Sequence, residues 1–194
     1  MRQDFRTIAS WIVPGSRVLD LGCGNGELLR SLREERNIRG YGVEIAPDRV
    51  LGCIRNGVNV IQRDLEAGLA EFAADSFDAV ILSQTLQAMH HTENILREML
   101  RVGHEGIVTF PNFGYWKNRW QVMRGRMPVS ADIPYQWYDT PNVHLCTMED
   151  FEALCARLGI HILECVVMTG ERRVNWWPNL TGSLAVYRFE RAQP

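Results

Sequence analysis

Short apolar segments alternate with helical patterns along the first half of the chain. Apolar runs predict five β-strands at residues 17–21, 40–45, 58–61, 77–82 and 106–110. Helical patterns follow three of these strands, at residues 27–32, from Pro47 onward and at residues 92–101. Strands that alternate with helices of this length are typical of βαβ units. The pattern therefore predicts an α/β fold built on a mostly parallel sheet.

The pattern changes after Pro111. Residues 112–146 are rich in aromatic residues and show no clear period. A helical pattern resumes at residues 148–158, with Thr147 as the predicted N-cap and Asp150 as the acid three positions later. Two closing strands are predicted at residues 160–168 and 184–189, and we expect them to pair as an antiparallel hairpin.

The chain shows no linker, internal repeat or low-complexity segment, which predicts one domain over residues 1–194. Within it, a ligand-binding half covers about residues 1–110. Aromatic-rich regions cover about residues 111–146 and 169–182.

Composition narrows the class of protein. The net charge of −2 disfavours binding to nucleic acid through bulk charge, which normally requires a basic domain. The five cysteines include no CxxC pair, which predicts neither a disulfide framework nor a metal site. There is no signal-peptide pattern and no apolar run of the ~20 residues that span a bilayer, so we expect a cytoplasmic protein without a membrane partner.

Three glycines lie between the first predicted strand and the helix that follows it. Gly22, Gly24 and Gly26 suit a tight turn that brings the backbone close to a ligand, although a plain turn is an alternative. A dinucleotide fingerprint would place its third glycine at position 27, where the chain has Glu27. Glu27 and Asp20 would repel a pyrophosphate. S-adenosylmethionine, which carries an ammonium and a sulfonium, fits this loop better.

Acidic residues follow the next two strands. Glu44 lies 20 residues after Gly24, where an acid meets ribose hydroxyls, and a carboxylate can accept both of them. Asp64 can accept the amine of adenine, with Leu65 covering a face of the ring. The alternatives are a solvated strand end for Glu44, a turn cap for Asp64 and a small space-filling role for Cys23. The predicted cofactor site consists of Asp20, Gly22, Cys23, Gly24, Asn25, Gly26, Glu44, Ile45, Asp64, Leu65 and Ser83.

These motifs resemble those of the class I S-adenosylmethionine-dependent methyltransferases. The matching segments are residues 18–26, 42–44, 62–65 and 77–81. The resemblance implies a three-layer Rossmann-like fold, with a mostly parallel sheet and a C-terminal antiparallel strand. It also implies S-adenosylmethionine or S-adenosylhomocysteine as the cofactor.

A closer resemblance, to the bacterial methionine biosynthesis protein W family, extends over nearly the whole chain. It is carried by residues 18–26, 64–65, 83–87, 110–116, 134–142 and 176–180. The resemblance implies a role in methionine synthesis as the accessory subunit of a homoserine O-acyltransferase. In that family the partner performs the acyl transfer.

The alternative function is methyl transfer to a small molecule. In that case the protein would mainly supply orientation, because the methyl donor is already activated. The acceptor would be lined by Ser83, Gln84, Gln87, Asn112 and Tyr115, with His90, His91 and His144 as candidate bases. Packing or surface roles are the alternative for each histidine, so no catalytic residue is assigned.

The aromatic-rich regions allow three interpretations. They can form a lid over an acceptor pocket, a surface that binds a partner protein, or part of the core. Tryptophan, tyrosine and arginine are enriched at interface hot spots, and the chain contains six tryptophans, including Trp176 and Trp177. We favour the partner surface.

Overall fold

The computed structural model describes residues 2–192. Its strands are β1 (Arg17–Leu21), β2 (Arg39–Glu44), β3 (Asn59–Gln62), β4 (Phe77–Ser83), β5 (Gly103–Pro111), β6 (Ile160–Thr169), β7 (Arg172–Arg173) and β8 (Leu184–Arg191). Its helices are α1 (Gln3–Trp11), α2 (Glu27–Arg36), α3 (Pro47–Arg55), α4 (Thr92–Val102), α5 (Trp116–Met123), α6 (Met148–Leu158) and α7 (Pro178–Thr181). Short 3₁₀ turns cover Leu65–Ala67 and Leu86–Ala88.

All eight strands join one sheet in the order β3-β2-β1-β4-β5-β8-β6-β7. Strands β1 to β5 run parallel, whereas β8 lies antiparallel to both β5 and β6. The strand order reverses between β1 and β4. In open α/β sheets such a reversal opens a crevice at the carboxyl ends of the strands, where ligands bind.

Each face of the sheet carries its own apolar core. Helices α4 and α6 cover one face, where Leu19, Val108 and Tyr187 are buried. On the other face, α1 and α2 pack over residues that include Val18 and Ile81. Successive strand residues point to opposite faces, so strands buried on both sides appear in the sequence as continuous apolar runs.

The structure confirms the α/β class and the three layers, and it extends the antiparallel part. The predicted hairpin exists as β6 and β8, but β7 also pairs antiparallel with β6, so this part contains more than one strand. Helices α1, α5 and α7 and strand β7 were not predicted from the sequence. No helix within residues 2–192 is both long and apolar enough to cross a bilayer.

Candidate functional site

The glycine loop connects β1 to α2 at the crevice. Gly22 has φ +68°, and a Cβ there would lie 2.6 Å from the Thr85 hydroxyl oxygen. Gly24 has φ +57°, yet a Cβ there would have no neighbour within 4 Å. The loop therefore packs tightly against the chain at Gly22 and faces open space at Gly24. This is the geometry expected of a backbone that a ligand approaches.

Asp20, at the end of β1, is only 2% exposed. Burial, with a smaller contribution from the charge of Glu44, raises the pKa of its carboxyl to about 8. Its Oδ1 atom is buried and has no hydrogen-bond partner among the described residues. A buried acceptor without a partner is costly. An ammonium group bound beside the glycine loop would give Asp20 a donor and stabilise its charged form.

Glu44, at the end of β2, connects the loop to its own strand. One carboxylate oxygen accepts a hydrogen bond from the Gly24 amide at 2.9 Å, and the other accepts from the amides of Ile45 and Ala46 at 2.9 and 3.0 Å. A carboxylate offers about four acceptor sites. These bonds use three of them, so one is left for a ribose hydroxyl. The sequence predicts that Glu44 can accept both ribose hydroxyls, whereas the structure leaves it room to accept one.

Cys53, in α3, and Asn56, at the end of α3, hold the glycine loop in place. The Cys23 and Cys53 sulfurs lie 3.6 Å apart, and the Cys53 thiol donates to the Gly24 carbonyl at 3.0 Å. Burial raises the pKa of both thiols, so neither is a ready nucleophile. The Asn25 carbonyl accepts from the Asn56 side chain, which ties the loop to the end of α3.

Two cavities open on this loop and share Gly22 and Arg49. The smaller, of about 260 Å³, is lined by the predicted residues Asp20, Gly22, Cys23, Gly24, Asn25 and Ser83. The larger, of about 580 Å³, is lined by the predicted residues Gly22, Glu44, Ile45, Asp64 and Leu65. Gly26 lines neither cavity and is instead the N-cap of α2.

The cavities also contain groups that the sequence analysis missed. Arg2 and Arg49 line the smaller cavity beside Asp20 and Glu27, so its charge is mixed rather than purely acidic. The Arg2 guanidinium donates hydrogen bonds to the Asp4 carboxylate. One feature of the sequence could have revealed Arg49. This residue lies in the first turn of α3, five residues after Glu44. A zwitterionic amino-acid group fits this combination of charges.

A loop forms part of the wall of the larger cavity. Its residues Ala131, Asp132, Pro134, Tyr135, Pro141 and Asn142 line the cavity wall. The loop is anchored where the amides of Val143 and His144 donate to the Gln87 carbonyl at 2.8 and 3.0 Å. Part of the aromatic-rich region therefore borders the site.

The predicted acceptor side is only partly assembled. Gln84, Gln87 and His90 line the larger cavity. Asn112 and Tyr115 do not, because both are buried in the packing beyond β5. His91 and His144 line an apolar cavity of about 550 Å³ between α4 and α6, which shares Gln87 and His90 with the larger cavity. Nowhere in residues 2–192 do three side chains of the metal-binding types gather closely enough to hold an ion.

Solved structures show the same fold. An S-adenosylmethionine-dependent methyltransferase from Mesorhizobium loti superposes with a TM-score of 0.72 at 16% identity, covering 97% of this chain and 98% of that one. The [4+2]-cyclase SpnF superposes with a TM-score of 0.71 at 19% identity, covering 98% of this chain and 81% of that one.

Sequence comparison is more specific. The chain is 40% identical over 202 residues to the bifunctional methionine biosynthesis protein MetXA/MetW of Rhodopirellula baltica. The match covers 97% of this chain but 32% of the relative, so the chain spans about a third of that protein's length. The model of the family described as methionine biosynthesis protein MetW matches residues 2–189. Because both matches extend over nearly the whole chain, the chain belongs to the methionine biosynthesis protein MetW family.

Proposed function

We propose that the protein binds S-adenosylmethionine or S-adenosylhomocysteine at the glycine loop and acts as the accessory subunit of a homoserine O-acyltransferase. The observation that carries the ligand assignment is the buried Asp20 oxygen without a donor, beside the open face of Gly24. In the proposed complex Asp20 accepts from the ammonium, Glu44 accepts from a ribose hydroxyl, and Asp64 and Leu65 hold the adenine.

The partner assignment is supported by the relative from Rhodopirellula baltica, whose name pairs MetXA with MetW on one polypeptide. Two units on one chain are held at high effective concentration, which favours a permanent association. The acyl transfer then takes place on the partner. The bound nucleoside derives from the product of the pathway, so its occupancy would report that product to the complex.

The proposal does not include methyl transfer. The same fold also occurs in a [4+2]-cyclase, so the fold alone does not assign that reaction. Of the candidate histidines, His91 has a carboxylate partner, but it lines the cavity between α4 and α6 rather than the cofactor cavities. The Nδ1 atom of His91 lies 2.7 Å from the Glu66 carboxylate. This contact is at the protein surface.

Calorimetric titration with a set of ligands tests the binding site. We expect S-adenosylmethionine to bind and NAD to fail. Asp20→Asn should weaken S-adenosylmethionine about 10–100-fold, because a charge-assisted hydrogen bond contributes about 1.5–3 kcal/mol. It should leave 5′-methylthioadenosine, which lacks the amino-acid group, unchanged. Glu44→Gln should weaken both ligands, with the exposed Glu34→Gln as the matched control.

Binding of NAD with neglect of S-adenosylmethionine would refute the ligand assignment. The accessory role has its own assay, in which homoserine acylation by the purified acyltransferase is measured with and without this chain. Equal rates, together with no physical association of the two proteins, would refute that role.

A further inference from the structure

Four tryptophans lie exposed beyond the carboxyl end of β5. Trp116 and Trp120, on α5, are about half exposed, and Trp176 and Trp177, before α7, are 79% and 68% exposed. The rings of the last two stack on each other, with centroids 5.8 Å apart. Large aromatic side chains normally contribute to folding by burial. A group of them left in water marks a surface that a partner covers. We call these four residues the aromatic platform.

The turn that carries Trp176 and Trp177 is held firmly. Trp177 adopts a left-handed conformation with φ 46°, which a bulky side chain rarely takes. The Thr181 hydroxyl donates to the carbonyls of Trp176 and Trp177 at 2.6 and 3.1 Å. The buried Asn112 side chain donates to the carbonyls of Asn179 and Gly182, both at 2.9 Å. A turn whose backbone is already fixed loses little entropy when a partner binds it.

A groove next to Trp177 reaches from the turn to α5. This groove, of about 400 Å³, is lined by Arg119 of α5, by Met148 and Glu149 of α6, and by Trp177 and Pro178 of the turn. Asn112 connects the loop after β5 to the segment that carries α7, because it begins that loop and donates to the carbonyls of Asn179 and Gly182. The groove therefore joins the turn that carries Trp177 to Arg119 of α5, the helix that carries Trp116 and Trp120.

The charged residues on the α5 side of the platform are all basic. Residues 113–131 contain four basic residues and no acidic one, although the whole chain carries a net charge of −2. The Arg124 guanidinium lies 5.3 Å from the centroid of the Trp120 ring, and the Lys117 ammonium lies 5.7 Å from that of Trp116. A complementary partner surface would combine apolar contacts with an acidic border.

We propose that the aromatic platform is the face through which the chain docks onto the homoserine O-acyltransferase. This rests on the proposed function, and it names the surface that the accessory role uses. In the MetXA/MetW relative, 97% of this chain aligns with 32% of the polypeptide. The two units of that relative therefore lie on the same chain. A permanent contact needs an apolar centre with aromatic anchors and a polar rim. The platform supplies the anchors, and Lys117, Arg119 and Arg124 supply the rim.

The test measures the affinity of the full chain for purified homoserine O-acyltransferase by calorimetry. The double variant Trp176→Ser/Trp177→Ser should bind at least tenfold more weakly than wild type. Arg124→Glu should also bind more weakly, and this loss should shrink at high salt. The matched control is Leu51→Ser/Ile54→Ser, which removes exposed apolar side chains from α3, a helix that packs against β2 and β3 at the far end of the sheet from β5 and β8. It should bind like wild type.

Affinity for S-adenosylmethionine, measured on every variant, separates loss of docking from loss of folding. If wild type binds the acyltransferase and both platform variants bind equally well, the docking face is refuted while the accessory role stands. If wild type does not bind, both proposals fail. If sedimentation shows that wild type pairs with itself and the tryptophan variant does not, the platform joins two copies of this chain, and the acyltransferase assignment is refuted.

Discussion

Asp20 combines two properties that rarely occur together at one residue. It is buried at the end of a central strand, and one of its oxygens has no donor among the described residues. A structural role would be served better by an apolar residue or by an asparagine with partners. The position is therefore unfavourable for the empty protein and favourable for one that holds a cation, as expected of a group that serves binding rather than stability.

Asp20→Asn should change how stability depends on pH. The pKa of Asp20 is raised to about 8 in the folded protein, whereas an unfolded aspartate titrates near ~3.9. Its contribution to stability is fully present below that lower value and is lost as pH rises through about 8. Asparagine stays neutral throughout. We expect the free energy of unfolding of the variant, relative to wild type, to rise from pH 5 to about pH 8 and then to level off, without ligand.

Urea denaturation across this pH range provides the measurement. Asp139→Asn, in an exposed loop, is the control and should show a pH-independent difference from wild type. A flat difference for Asp20→Asn as well would mean that Asp20 is already ionised and paired in the folded protein. That result would contradict the binding geometry proposed for the ammonium.

Single elements show where sequence patterns were sufficient. The strand, loop and helix around Gly22 to Gly26 were predictable because local steric rules dictate them. Helix α1 was missed although Phe5, Ile8 and Ile12 have helical spacing and are buried. Helix α5 gave no such signal, since Asn118 is its one buried residue. The position of the loop at residues 131–142 beside the cavity depends on tertiary contacts, which no local pattern encodes.

Asn112 shows how one side chain determines the position of an element. It is fully buried, its amide donates to the carbonyls of Asn179 and Gly182, and its oxygen accepts from the Gly114 amide. The sequence analysis expected it beside an acceptor. The structure places it instead between the loop after β5 and the segment that carries α7.

Asn112→Ala should lower the free energy of unfolding by about 2–4 kcal/mol, because it leaves buried carbonyls without donors. Chemical denaturation measures the loss. Asn175→Ala, exposed in the neighbouring segment, should change stability by less than about 0.5 kcal/mol. If Asn112→Ala lowers the free energy of unfolding as little as Asn175→Ala does, packing holds the segment before β8 and the Asn112 hydrogen bonds contribute little.

At the scale of the whole molecule, one stretch of chain connects the ligand cavity to the aromatic platform. Helix α5 carries half of the platform, and the loop that forms part of the wall of the larger cavity follows it at residues 131–142. Between Met127 and Asn142, the described backbone-to-backbone hydrogen bonds are Ser130 to Ile133 and Asp139 to Gln136. So few bonds leave this loop with conformational entropy to lose when a nucleoside binds beside it.

Docking of the acyltransferase should therefore strengthen nucleoside binding. A partner that fixes α5 removes part of the freedom of the following loop in advance, so the nucleoside has less to order. We expect calorimetry to give a dissociation constant for S-adenosylmethionine at least fivefold lower in the complex than in the free chain. By linkage, the nucleoside must strengthen acyltransferase binding by the same factor. Equal constants would disprove the coupling and leave both binding sites in place, whereas unequal factors in the two titrations would indicate a second nucleoside site on the partner.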